Sequence, residues 1–412
     1  MIEGMTDPVP QRAEIVVDLA AVRHNVRILK DLVSVDGPVQ LMAVVKADGY
    51  GHGMVEVAAA ARDAGADWLG VATIEEALAL RAAGDHGPLL CWLSAPGDDF
   101  AAAVAAGVEV TAYSVTELEE VAAAGPARVQ LKVDTGLSRG GAPRALWRDL
   151  FSVASDLERE GRITVTGIWS HLAASDEPAH PANDAQEAAF REALALADAA
   201  GLDPQVTHLA NSAAAILRPS SHFDLVRCGI AVYGLDPAPG VSPRLGLRPA
   251  MTVRARLVMS KDIRSGDGVS YGHTWHAPED TTVGVVPAGY GDGIPRAAGN
   301  TAHVWVDDSQ RPIRGRVCMD QLVVELHGEL PPTGTEVVLF GPGDLGEPTA
   351  QDWAEAVDTI SYEIVTRVGG RLVRRHVDSE ADTEADSEAD SEADTAAEAD
   401  TSAGNGDGRT TR

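Results

Sequence analysis

Up to Gly234, short apolar runs alternate with alanine-rich amphipathic stretches. The runs are LMAVVKA (41–47), DWLGVA (67–72), PLLCWLS (88–94), VEVTAY (108–113), RVQLKVDT (128–135), ITVTGIWSHL (163–172), QVTHLAN (205–211) and FDLVRCGIAVYG (223–234). Most are rich in Val, Ile or Leu and too short for helices, so they read as buried strands. Helical periodicity fills the gaps, as in TIEEALALRAAG (73–84), SVTELEEVAAAG (114–125) and AHPANDAQEAAFREALALADAAG (179–201). Ser114 and Glu117 predict a capping box, and Gly84, Gly125 and Gly201 stand where helix C-caps belong.

Alternation of strand and helix predicts a parallel sheet covered by helices. Eight strands suit closure into a (β/α)8 barrel. An open doubly wound sheet is the alternative, weakened because no G-x-G-x-x-G follows the first strand. The fold class is therefore α/β, with an N-terminal (β/α)8 TIM-like barrel over residues 1–245. The texture then changes. MTVRARLVMSKDI, TTVGVVPAGYGDG, AHVWVDD, RPIRGRV, DQLVVELHG and TEVVLFG are β-rich runs broken by Gly, Pro and Asp. They predict a mostly-β C-terminal domain over residues 246–377. In the repeat that follows, DSEADTEADSEADSEADTAAEAD, no apolar residue exceeds alanine in size. Such a segment cannot bury a core, so residues 378–412 read as a disordered acidic tail.

Composition narrows the partners. Acidic residues number 62 against 33 Lys and Arg, a formal charge of -29. Such a surface repels phosphate backbones and anionic lipid, which argues against nucleic-acid and membrane partners. Aromatic residues are only 4% of the chain, so aliphatic packing must dominate the core. Cys91, Cys228 and Cys318 are too few and scattered for a disulfide framework and lack metal-ligand spacing. Reduced thiols, a polar N-terminus and no long apolar span together suggest a cytoplasmic protein without a metal.

Barrel active sites lie at the C-terminal strand ends. Reactive side chains gather there: Lys46 on the first strand, Lys132, Asp134 and Arg139 around the fifth, and His171 on the sixth. His208, Asn211 and Ser212 follow on the seventh, with Arg227 and Gly229 on the eighth. Lys46 follows three apolar residues and precedes a Gly-rich turn in AVVKADGYGHG. A buried lysine loses ammonium solvation and its pKa falls. The free amine that results is what a Schiff base with an aldehyde requires. Ser212 begins a helical stretch in HLANSAA and could offer its hydroxyl to an anion; a plain N-cap is the alternative.

Nine segments resemble alanine racemases of the fold-type III pyridoxal-phosphate-dependent family. They are VVKADGYGHG, LKVDTGLSRGG, SHLAASDE, HLANSAA, VRCGIAVYG, VSYG, PAGYGDG, GRVCMDQ and DTISYEI, in the family's order from residue 44 to 364. The resemblance implies a cofactor, pyridoxal 5′-phosphate, held by Lys46 as a Schiff base. It implies two catalytic bases, Lys46 and Tyr271, on opposite faces of the cofactor. Arg227 would face the pyridine nitrogen, with His171 and His208 holding Arg227 or relaying polarity toward Tyr271. Tyr50, Ser212, Gly229, Ile230 and Tyr362 match the phosphate ligands. Arg139 and the Met319 N–H would take the substrate carboxylate, and Arg139 would also steady the cofactor. Lys132 matches a position carbamylated in some members, and Asp176, Tyr290 and Arg296 match an entry corridor. The glycine after Arg139 departs from the usual larger residue. Tyr271 and Met319 would come from the other subunit of a homodimer with shared active sites. The implied activity is interconversion of L- and D-alanine, a small amino-acid substrate, supplying D-alanine for peptidoglycan. A decarboxylase of the same fold would need an acidic partner where Arg227 stands. A barrel that merely bound the cofactor would lack Tyr271 and the β domain. A racemase acting on serine or several amino acids is the remaining alternative.

Overall fold

The computed structural model describes residues 12–35 and 37–379. Strand β1 (Ala13–Asp18) precedes eight parallel strands: β2 (Gln40–Val44), β3 (Trp68–Val71), β4 (Leu89–Cys91), β5 (Glu109–Ala112), β6 (Ala127–Lys132), β7 (Ile163–Trp169), β8 (Val206–His208) and β9 (Leu225–Cys228). These eight are the runs read from the sequence. They pair in the order β8-β7-β6-β5-β4-β3-β2-β9, so first and last strands are neighbours. The β8–β9 seam is bridged where Asp224 N–H donates to Thr207 O (3.0 Å) and Arg227 N–H to Ala210 O (3.0 Å). A barrel nearly closes, and the open sheet is excluded. All residues of β3, β4, β5 and β9 are buried. Burial on both faces is why these strands read as continuous apolar runs.

Helices cover the outside. The helix Trp147–Arg159 buries Trp147, Leu150, Phe151, Ala154 and Leu157, a stripe at helical spacing. Ser114 caps its helix by accepting from Glu117 N–H, but the Glu117 carboxylate turns to the Tyr113 N–H (2.6 Å). The reciprocal half of the predicted box therefore serves the residue before the cap. A complete box stands instead at Thr73 and Glu76.

One strand departs from the division drawn at residue 245. β1 does not join the barrel. It runs antiparallel to Met251–Arg256 and parallel to Val373–Val377. The second sheet is ordered Ser309–Pro312, His303–Val306, Glu336–Phe340, Met251–Arg256, β1, Val373–Val377. In β1, buried Ala13, Ile15 and Val17 alternate with half-buried neighbours, the period of a strand covered on one face. A three-stranded sheet (Met259–Ile263, Thr281–Val286, Leu322–Glu325) and the helices Ala350–Ala356 and Ser361–Arg367 complete this part. The acidic tail lies outside the described residues except for Asp378 and Ser379, which were assigned to it. Asp378 pairs with Arg23, and the Ser379 hydroxyl donates to Asp18 (2.7 Å). Among the described residues no helix is long and apolar enough to cross a membrane. No group of three or more His, Cys, Asp or Glu there could hold a metal.

Candidate active site

All eight barrel strands contribute, at or just past their C-terminal ends, to one cavity of about 900 Å³. Lys46, Tyr50, Lys132, Arg139, His171, Ser212, Arg227, Gly229, Ile230 and Tyr362 line it, so most of the residues proposed from the sequence meet there. Tyr362 arrives from the helix Ser361–Arg367 of the second part.

Lys46 sits two residues past the end of β2, not in the strand. Burial, then the nearby Arg139 guanidinium, lower its pKa, opposed by Glu76. Directly after it the backbone turns left-handed: φ is 53° at Ala47, 52° at Asp48, 62° at Gly49 and 52° at Tyr50. Each such non-glycine residue costs about 1–2 kcal/mol, so surrounding contacts must hold the turn. Ala47 N–H donates to Glu76 (2.7 Å), and Asp48 accepts from Met54 N–H (3.0 Å). Two more contacts come from the strand Val373–Val377. Arg374 bridges Asp48 (2.7 Å), and the His376 ring bonds His52 O (2.8 Å). Gly51, at φ 81°, lies so close to the helix Ser361–Arg367 that a Cβ would fall 2.3 Å from Val365 O.

Arg227 is buried in the cavity lining. One terminal nitrogen reaches His208 Nδ1 (2.8 Å); the other donates to Ser170 O (2.8 Å) and Leu209 O (3.1 Å) and reaches His171 Nδ1 (3.1 Å). Burial pulls the Arg227 pKa down to about 9, which leaves it charged at neutral pH. Burial and then Arg227 hold His171 and His208 well below the usual histidine range, so both are neutral acceptors. His208 lies behind the cavity wall rather than on it, stacked on Trp169 at 5.5 Å and 7°. It supports Arg227 and is not placed to touch a ligand.

A second group of lining residues carries hydroxyl donors: Tyr50, Ser212 and Tyr362. The helix Ser212–Leu217 is capped by Asn211, not Ser212, which frees the Ser212 hydroxyl to accept from Gly229 N–H (2.9 Å). A Cβ at Gly229 would sit 2.4 Å from the Tyr50 hydroxyl. Glycine is required for that approach.

Tyr271 and Met319 do not reach this cavity. They lie with Tyr290 around a separate shallow depression, 71% and 54% exposed. Arg296 and Asp176 are exposed and line neither space. Lys132 lies over Trp169, 4.3 Å from the ring centre, and 5.2 Å from that of Tyr113. Burial, then Arg227 and Arg139, lower its pKa to about 7. A Cβ at Gly140, the departure noted in the sequence, would sit 3.7 Å from the Lys132 amine, an ordinary contact.

The sequence reading missed the aromatic wall of Trp92, Tyr113 and Trp169, and the anchor Glu76. Each aromatic stands at or just past a strand's C-terminal end, the one signal that could have marked it.

Residues 17–237 match the family described as alanine racemase, N-terminal domain, and residues 250–376 match alanine racemase, C-terminal domain. The chain is 52% identical over 374 residues to the alanine racemase of Salinispora arenicola, covering 90% of this chain and 99% of that one. Its structure resembles the crystal structure of alanine racemase from Streptomyces lavendulae, with TM-score 0.88 and 48% identity over 90% of this chain and 98% of that one. It also resembles the alanine racemase of Bartonella henselae, described with covalently bound pyridoxal phosphate, at TM-score 0.80 and 29% identity. That match covers 89% of this chain and 100% of the other.

Proposed function

Because the chain belongs to the alanine racemase family, which interconverts L- and D-alanine and so supplies D-alanine for cell-wall peptidoglycan, we propose how its own residues carry out that reaction. The family depends on pyridoxal phosphate, and the cavity fits that group on chemical grounds. Lys46 offers an amine with lowered pKa to the aldehyde. Tyr50, Ser212, Tyr362 and the backbone at Gly229 and Ile230 offer donors and space to the phosphate. Arg227, a donor only, would face the ring nitrogen. When bound, the cofactor makes the α-hydrogen of the amino acid acidic by spreading the charge left at Cα. Inversion then requires a proton to leave one face of Cα and another to arrive on the opposite face. Lys46 serves one face. Tyr271 serves the other, brought in from a second subunit together with the Met319 N–H. Arg139, at the cavity mouth, takes the substrate carboxylate, and Asp176, Tyr290 and Arg296 line the approach. The observation that carries this reading is the meeting of a lysine of lowered pKa and a buried, donor-only arginine in one cavity. Three free cysteines support a cytoplasmic setting.

Arg227 tests this assignment. In Arg227→Glu a carboxylate, which accepts, stands where the guanidinium only donated. Bound cofactor would then hold the charge left at Cα more strongly, and more substrate would be lost as pyruvate, its amino group left on the cofactor. We expect racemisation to fall and pyruvate per racemisation event to rise roughly tenfold or more, with cofactor occupancy measured first. An unchanged ratio in a folded, loaded variant removes Arg227 from this role.

Lys132 is read as carbamylated. With its pKa near 7, the amine is largely neutral above that pH and can attack carbon dioxide. The N–C bond forms, one N–H proton passes to water, and the resulting carboxylate would orient Arg139. ¹³C-labelled bicarbonate should give a carbamate resonance that grows as pH rises through 7 and is missing in Lys132→Ala. A spectrum identical in the two proteins overturns the assignment.

A further inference from the structure

Arg227 is the near end of a chain of polar groups that runs back through the barrel interior. Its terminal N–H meets His208 Nδ1 at 2.8 Å. His208 Nε2 meets Gln130 Oε1 at 2.7 Å. Gln130 Nε2 donates to Glu109 Oε2 at 2.9 Å. Glu109 also accepts from the Thr166 hydroxyl (2.6 Å) and from Arg128 Nε (2.8 Å). His208 and Gln130 are wholly buried, and Glu109 is 3% exposed. Gly167 makes room for the amide: a Cβ there would fall 2.7 Å from the Gln130 carboxamide carbon.

The donors and acceptors along this chain admit only one consistent assignment, and it follows from either end. A guanidinium only donates, so His208 Nδ1 must be bare. A neutral imidazole then carries its proton on Nε2, which needs an acceptor, the Gln130 oxygen. From the other end, a carboxylate only accepts, so the Gln130 atom beside Glu109 must be the NH₂ group. That again leaves the oxygen facing His208. Turning the amide over would set its oxygen against the Glu109 carboxylate. It would also move the His208 proton to Nδ1, facing an Arg227 donor.

We propose that Glu109 is a positioning residue for racemisation: through Gln130 it fixes the proton of His208 on Nε2 and so keeps Arg227 aimed at the reacting centre. Neither Glu109 nor Gln130 lines the cavity, so both act only through the chain. In a dry interior an unmatched donor is costly, and one misplaced proton dislodges the guanidinium. The sequence pattern gave no sign of this, because a Glu and a Gln within buried strands look like exceptions to the apolar run.

The proposal rests on the role given to Arg227 above, and its test separates the two. Protein carrying ¹⁵N-labelled histidine is examined by NMR without cofactor and with it, His208→Gln assigning the signals. We expect neutral His208 with its proton on Nε2 in both states. Glu109→Leu should populate both tautomers and lower kcat about tenfold or more, with KM for alanine within about twofold. Glu109→Gln can still turn an oxygen toward Gln130 and should keep both the single tautomer and kcat within about twofold. A proton on Nδ1, or on both nitrogens, in the unaltered protein overturns the proposal even if Glu109→Leu fails to fold. So does a folded Glu109→Leu with the original tautomer and kcat. If the tautomer shifts but kcat does not, the chain exists and the role of Arg227 fails instead.

Discussion

Lys46→Ala is expected to abolish alanine racemisation and the visible absorbance of the bound cofactor while the protein stays folded. Among the described residues the Lys46 amine makes no hydrogen bond or ion pair; its aromatic neighbour, Trp92, lies 6.0 Å away. Truncation therefore leaves no buried partner stranded, and the left-handed turn beyond it keeps all its own contacts. The thermal midpoint should move little, as for a substitution worth less than about 1 kcal/mol. Activity should fall at least about 10³-fold, because the two roles proposed for Lys46, covalent anchor and base, are lost together. Absorbance of the cofactor–protein mixture and the rate of D-alanine formation check this. A variant that still binds cofactor covalently and racemises at a normal rate would falsify the assignment.

Complementation between two dead chains is the second large effect. Within one chain, Lys46 lines the barrel cavity and Tyr271 stands exposed on a separate depression. In the proposed mechanism both flank a single carbon, which requires a second copy to supply Tyr271. A dimer of one Lys46→Ala chain and one Tyr271→Ala chain then has one ruined site and one intact site. Random exchange makes about half of all dimers mixed, so about a quarter of the unaltered activity should return. Each variant alone should show almost none. Dimers shown by mass to be mixed, yet inactive, would rule out sharing.

The barrel was legible because burial on both faces writes strands as apolar runs. The cavity residues were legible because short motifs keep lysine, serine and glycine next to strand ends. β1 was not. Its six residues alternate like any half-covered strand, and nothing local says that its partners lie at 251–256 and 373–377. Pairing is a long-range choice that periodicity does not encode. His208 was read as holding Arg227, which it does, but the direction of its ring was not legible for a similar reason. Its motif puts it at a strand end, but whether the ring points into the cavity or behind Arg227 depends on neighbours on other strands. Ser212 does begin its helix, and the N-cap alternative falls because Asn211 caps as well as serine does.

The clasp of Arg374 and His376 on the turn beyond Lys46 also dates the enzyme's competence during its own synthesis. Arg374 follows Asp48 by 326 residues. A ribosome adding about 5–20 residues per second needs roughly 16–65 s to cover that distance. Until that distance is covered, two fastenings of the turn beyond Lys46 cannot be made. A ribosome stalled before residue 374 would leave the turn beyond Lys46 without either of them.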